Sequence, residues 1–189
     1  MHDLLMRWFR RLLLLLMFLP FLARAQTGAI ISGNDRHHPV FAANGMVASQ
    51  EAVATKLGVD ILRQGGNAID AAVAVGFILA VTLPRAGNLG GGGFMLIHHS
   101  QSGETLALDY REKAPAKADR DLFLGPDGEL DKVKARFSHL SIGVPGTVAG
   151  LIEAHRRFGS LPLTAVMAPA ITLASKGLMV TPELARNLQ

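Results

Sequence analysis

The run Ala71 to Leu83 constrains this chain more than any other stretch, because it is apolar on every side apart from Thr82. A helix without a polar face either spans a membrane or lies at the centre of a core. This one stops at Pro84, short of the roughly 20 residues that a span requires. The expectation is a buried central helix. Its start is marked by Asn67, whose side chain can accept from free backbone N–H groups. Asp70 stands at the third helical position, where a carboxylate can reach back to the positive end of the helix dipole.

The N-terminus has a different logic. Arg7, Arg10 and Arg11 precede the apolar run Leu12 to Leu22, and the small-x-small triplet Ala23-Arg24-Ala25 follows. That layout predicts a secretion signal cleaved after Ala25, with residues 1–25 removed and the product exported to a periplasm or the medium. The apolar run is too short to be a membrane anchor, so the membrane enters only through export. Losing four arginines and Asp3 takes the formal charge from +4 to +1. The basic pI of about 9.9 therefore reports targeting. No aromatic side chains interleave with the remaining basic residues as a nucleic-acid platform would require. The chain has no cysteine, which excludes thiol catalysis and thiolate metal sites within it. Its 189 residues, 49% of them hydrophobic, suffice for one sizeable core.

Residues 26–41, with His37-His38-Pro39, read as a linker or extended arm, and residues 42–189 as the domain proper. Met46-Val47-Ala48 is a short strand candidate. Ser49 can cap a helix whose inner stripe is Val53, Leu57 and Ile61, and Gly65-Gly66 ends it. After the central helix, Phe94 to His98 is a near-continuous apolar run, predicting a strand buried on both faces. Ser102-Gly103 turns the chain, and Thr105 to Arg111 returns as the hairpin partner. Asp119 to Asp131 crosses the surface through the turn Gly125-Pro126-Asp127-Gly128. Pro145 opens a helix running to Gly159, and Pro162 opens another ending near Gly177, with Pro169 expected to kink or split it. Thr181-Pro182-Glu183 caps a further helix that the chain leaves at Gln189 after about two turns, which suggests truncation.

Four features could carry chemistry. Glycines 90–93 invite a phosphate cradle, but nucleotide loops run strand, glycines, helix, and here a helix precedes and a strand follows. Close backbone packing, letting the central helix approach the sheet or another loop, fits better. His37-His38 and His98-His99 lack a further ligand at motif spacing, so a solvated surface is expected and no metal. The strand at 105–111 places Ala107, Asp109 and Arg111 on one face. Arg111, oriented by Asp109, could grip a substrate carboxylate through two parallel N–H···O bonds, or form a structural ion pair with Asp109 or Glu112. A nucleophile is missing: there is no GxSxG elbow, and Thr147 and Thr164 have nothing to activate them. The segment by itself looks inert.

Five runs in order resemble the start of the large subunit of γ-glutamyltranspeptidases over roughly Pro39 to Gln189. They are residues 44–49 (NGMVAS), 65–72 (GGNAIDAA), 87–95 (GNLGGGGFM), 109–115 (DYREKAP) and 144–150 (VPGTVAG). The resemblance implies an α/β fold, a portion of the four-layer α/β/β/α sandwich of N-terminal-nucleophile hydrolases, incomplete in this chain. It also implies an exported precursor that cuts itself into large and small subunits and needs no cofactor. The family transfers or hydrolyses the γ-glutamyl group of glutathione and related donors, to acceptor amino acids, peptides or water, using the small subunit's N-terminal threonine. That threonine stands in a Thr-Thr-His context, and no Thr-Thr pair occurs here. The one family site residue that carries over is Arg111, which would bind the α-carboxylate of the γ-glutamyl group. Asp109 as its orienter rests on spacing. Two rival readings stand: a β-lactam side-chain acylase of the same superfamily acting on glutaryl or cephalosporin amides, and a non-catalytic fragment.

Overall fold

The computed structural model describes residues 39–187. The expected signal sequence, its cleavage site, the His37-His38 pair and most of the 26–41 arm lie outside the described residues. The chain divides after Phe41, and Ala42–Gln189 forms a compact unit of mixed α/β type.

In that unit α1 spans Ala52–Arg63 and α2 spans Ala68–Thr82. The hairpin of β1, Phe94–His99, and β2, Glu104–Asp109, follows. Then come α3, Lys132–Phe137, a 3-10 turn at His139–Ser141, α4, Thr147–Phe158, α5, Leu163–Lys176, and α6, Pro182–Asn187. Helix α2 is the centre, touching α1, α4 and α5. Val73, Ala74 and Ile78 are fully buried on it, and Val75 and Phe77 nearly so. Among the described residues no helix is long and apolar enough to cross a membrane. Glycine spaces two of these crossings. A Cβ at Gly58 of α1 would stand 2.7 Å from Val75 Cγ2, and one at Gly76 of α2 would stand 2.9 Å from Leu151 Cδ1 of α4.

The N-terminus of α2 forms as its sequence predicts. Asn67 Oδ1 accepts from Ile69 and Asp70 N–H at 2.9 and 3.0 Å, and Asp70 Oδ2 accepts from Asn67 N–H at 2.9 Å. The carboxylate does more than cap. It is wholly buried and also accepts from Ser160 N–H at 3.1 Å and Leu161 N–H at 3.3 Å. Asn67 Nδ2 donates to Phe158 O at 2.6 Å. His155 Nε2 stands 2.8 Å from Leu161 O and 3.6 Å from Asp70 Oδ1. A carbonyl can only accept, so this nitrogen carries its proton. The start of the central helix is thus tied to the α4–α5 connection.

Several expectations fail for identifiable reasons. Ser49 does not cap α1: Glu51 does, its two oxygens accepting from Val53 and Ala54 N–H at 2.9 and 2.8 Å. A charged acceptor at the positive helix end outcompetes a hydroxyl, and Ser49 Oγ turns to Thr55 Oγ1 at 2.8 Å. The buried stripe of α1 is Ala54, Gly58 and Ile61, whereas Val53 is exposed. Met46–Ala48 is not a strand, because the hairpin is the sole sheet among the described residues and offers it no partner. Val47 packs on the core instead.

The hairpin pairs in the predicted sense, Phe94 facing Asp109 and His99 facing Glu104, with Gly103 at φ +69° in the turn. Strand β1 is not buried on both faces. Met95 and Ile97 point to the core, but Phe94 is 66% and Leu96 79% exposed. A continuous apolar run signals two covered faces, and among the described residues only one has a cover. Pro169 does not split α5, which runs unbroken through it. Helix α4 starts at Thr147 with Gly146 as its N-cap, one residue beyond Pro145. The short α3 was not expected; Asp131 Oδ1 caps it through Val133 and Lys134 N–H at 3.0 and 2.9 Å.

Candidate functional site

Arg111 follows directly on β2, where the alternation of the strand carries its last turn of register. Leu106, Leu108 and Tyr110 are half-buried, while Ala107, Asp109 and Arg111 face solvent. The predicted two-face division therefore holds through the residue of interest. Arg111 borders two clefts. The smaller, about 300 Å³, lies between the end of β2 and the N-terminal turns of α4, with Tyr110, Gly146 and Gly150 in its wall. The larger, about 750 Å³, opens toward Phe123, Leu140 and Ile142.

The backbone around Arg111 is fixed residue by residue. Tyr110 N–H donates to Gly93 O at 3.0 Å. Arg111 N–H donates to Asp109 Oδ1 at 3.0 Å. Lys113 and Val144 exchange both backbone bonds of an antiparallel bridge, at 3.2 and 2.8 Å. Asp109 thus holds the main chain of Arg111, and the guanidinium ion-pairs with Glu112, Nε to Oε2 at 3.5 Å. The side chain is 68% exposed, so this pair contributes little to stability and a substrate carboxylate could displace it.

The glycine run works by proximity to this segment. None of Gly90 to Gly93 has positive φ, so the requirement is for room and not for an unusual conformation. A Cβ on Gly92 would lie 2.7 Å from Arg111 Cα and 2.6 Å from Glu112 N. One on Gly93 would lie 2.9 Å from Tyr110 Cε2. Gly91 O accepts from Gly146 and Thr147 N–H at 2.9 and 3.0 Å, tying the run to the first turn of α4. Close packing was expected, but its object is the end of β2 and not chiefly the central helix. It is Gly87, before the run, that packs on that helix: a Cβ there would lie 2.6 Å from the Leu79 carbonyl.

Two groups at the smaller cleft have displaced titrations. Burial pushes the Tyr110 phenol above its ordinary value. The Arg156 hydrogen bond holds the Glu153 carboxyl below its usual range, with both guanidinium contacts at 2.8 Å. His98 and His99 bond to Thr105 and Ser102 hydroxyls at 3.0 and 3.2 Å. Among the described residues no group of three His, Cys, Asp or Glu could hold a metal ion. The site has a cation on a rigid root beside open space, and no activated nucleophile among its walls. Sequence reasoning found Arg111 and Asp109 but missed Tyr110 as the residue that joins them to α4. The signal was present in the small residues at 146 and 150, one helical turn apart.

Residues 54–189 match the model of the family described as Gamma-glutamyltranspeptidase. The chain is 57% identical over 155 residues to a glutathione hydrolase proenzyme of Escherichia coli, covering 82% of this chain and 27% of that protein. Among solved structures it is similar to the γ-glutamyltranspeptidase of Helicobacter pylori, with 44% identity and a TM-score of 0.75, covering 79% of this chain and 43% of that one. It is also similar to a cephalosporin acylase from Bacillus halodurans, at 29% identity and a TM-score of 0.62, covering 82% of this chain and 30% of the other. The chain thus spans about a quarter of the length of the curated relative.

Proposed function

Because the chain belongs to the γ-glutamyltranspeptidase family, we propose that it supplies the donor-carboxylate grip of an exported glutathione hydrolase and γ-glutamyltransferase. The observation that carries this reading is Arg111: an exposed guanidinium on an immobilised stretch of backbone, bordering two clefts and paired only weakly with Glu112. A guanidinium fork matches a carboxylate through two parallel hydrogen bonds, which fixes orientation as well as affinity. The α-carboxylate of a γ-glutamyl donor is bound there. Asp109 steadies the arginine through its backbone N–H.

The nucleophile is a threonine outside these residues, on a small subunit released from the same precursor, and its own amine acts as base. Arg111 then holds the donor while the threonine attacks the γ-amide, and the acyl group passes to water or an acceptor amine. Residues 1–25 serve export and are removed after Ala25. The similarity to a cephalosporin acylase keeps a second reading in view, hydrolysis of a glutaryl-type amide, which offers the same arginine a terminal carboxylate and lacks only the α-amino group. The higher identity to a glutathione hydrolase favours the first.

The test is Arg111→Ala and Arg111→Lys in the complete enzyme, assayed on a γ-glutamyl anilide and a glutaryl anilide. A charge-assisted bond contributes about 1.5–3 kcal/mol, so KM for the γ-glutamyl substrate should rise on the order of 10- to 100-fold in Arg111→Ala. An unchanged KM refutes the assignment. Faster turnover of the glutaryl substrate by the wild type would favour the acylase.

A further inference from the structure

Arg111 has an exposed head, paired only with Glu112 at 3.5 Å, and a fixed root, and the side chain next to it explains the root. Tyr110 points inward from the end of β2, into a space left by glycines from two other segments. Gly93 precedes β1, and Gly146 and Gly150 form the first turn of α4. A Cβ on Gly150 would overlap the Tyr110 side chain at Cβ and Cγ and stand 2.5 Å from Cδ1. One on Gly146 would overlap the Tyr110 carbonyl oxygen, and one on Gly93 would meet the far edge of the ring at 2.9 Å. Half-buried Tyr110 is therefore packed against glycine at its ring edge, its Cβ and its carbonyl.

We propose that Tyr110 is a positioning residue for the γ-glutamyl donor. Its side chain, seated against Gly93 and Gly150 with its carbonyl against Gly146, fixes the Cα from which Arg111 reaches the donor carboxylate. The inference rests on the reading of Arg111 given above. The socket ties the end of β2 to α4 at the residue before the arginine, and the Lys113–Val144 bridge ties the chain beyond β2 to the stretch leading into α4 two residues after it. Arg111 is thus clamped on both sides while its own side chain stays exposed. A guanidinium on such a root meets a carboxylate with little backbone reorganisation, and displacing the root by about 1 Å can cost up to roughly a hundredfold in rate or binding. Among the described residues the phenol oxygen has no hydrogen-bond partner, so the work belongs to the ring.

The experiment uses the complete enzyme with a γ-glutamyl anilide, comparing Tyr110→Leu, Tyr110→Phe and Gly93→Ala, each also in an Arg111→Ala background. Tyr110→Leu should raise KM on the order of tenfold with kcat nearly unchanged, because the lost interaction is substrate binding. Tyr110→Phe, which keeps the ring, should restore the wild-type KM. In the Arg111→Ala background, Tyr110→Leu should add no further increase, since the residue acts through the arginine. Gly93→Ala meets only the ring edge and should raise KM more modestly; it decides the matter if Tyr110→Leu does not fold. Wild-type KM in folded Tyr110→Leu and Gly93→Ala, a fall in kcat alone, or an equal KM effect with and without Arg111 would overturn the proposal. If Arg111→Ala itself leaves KM unchanged, the donor-carboxylate reading falls with it; if only the Tyr110 and Gly93 variants are silent, that reading stands.

Discussion

Replacing Asp70 by alanine should be among the most damaging single changes in this chain. The carboxylate is fully buried and serves three backbone donors, Asn67, Ser160 and Leu161, at 2.9, 3.1 and 3.3 Å. An N–H bond to a charged acceptor contributes about 1.5–3 kcal/mol, which for three would overstate the loss, because Ser160 is exposed and water can serve it. Asn67 and Leu161 are half-buried and less easily rescued. The Asn67 bond is the carboxylate half of the capping box, so the loss of that box is already counted among the three. A net destabilisation of about 3–4 kcal/mol follows, within the range for removing one partner of a buried charged network. For a chain of this size, that corresponds to a fall in Tm of roughly 6–16 °C. Asp70→Asn keeps one acceptor oxygen but turns an amide NH2 toward backbone donors, so it should lose about half as much. Urea midpoints of the expressed protein measure the total, and amide exchange at Ser160 and Leu161 locates it. A loss below about 1 kcal/mol for Asp70→Ala, with exchange at those amides unchanged, refutes the view that this carboxylate joins α2 to the α4–α5 connection.

Two other predictions concern local chemistry. Glu51→Ala should destabilise by about 1 kcal/mol in urea unfolding and Ser49→Ala by less; the reverse order would restore the serine as the cap of α1. Tyr110 is the only tyrosine in the sequence, so tyrosinate absorbance of this chain, with Tyr110→Phe as blank, reads it alone. Its titration should fall above 10.0, because burial disfavours the phenolate. The sign follows: stability from the neutral phenol is present below the ordinary value and lost as pH rises through the folded one. A midpoint at or below 10.0 would mean the ring is not enclosed.

Local patterns were legible wherever partners are close in sequence. The Asn67–Asp70 cap, the uniformly apolar α2, the Gly103 turn and the alternation that puts Arg111 on the solvent face all depend on neighbours a few residues away. What the pattern could not give was the identity of distant partners. Asp70 reads as a cap and nothing more, since Ser160 and Leu161 carry no mark of their bonds to it. Tyr110 reads as one more apolar side chain of a strand, because the glycines that admit it are scattered over Gly93, Gly146 and Gly150. The outward faces of Phe94 and Leu96 were misjudged since an apolar run reports hydrophobicity, not how many layers cover it. At the proposed site, Arg111 is singled out by its motif and by the strand alternation, both of them local signals, whereas no residue of this sequence has the context expected of the nucleophile.

The bond from Asp70 to Ser160 spans 90 positions of sequence. A ribosome adding about 5–20 residues per second delivers the second partner roughly 5–18 s after the first. Throughout that interval the carboxylate can keep its water, but the apolar helix that it begins has neither α4 nor α5 to cover it. The last turn of α4 and the start of α5 therefore act as a closing step in time, and a synonymous change that slowed translation between residues 83 and 158 would lengthen the exposure of α2 without altering a single contact in the finished fold.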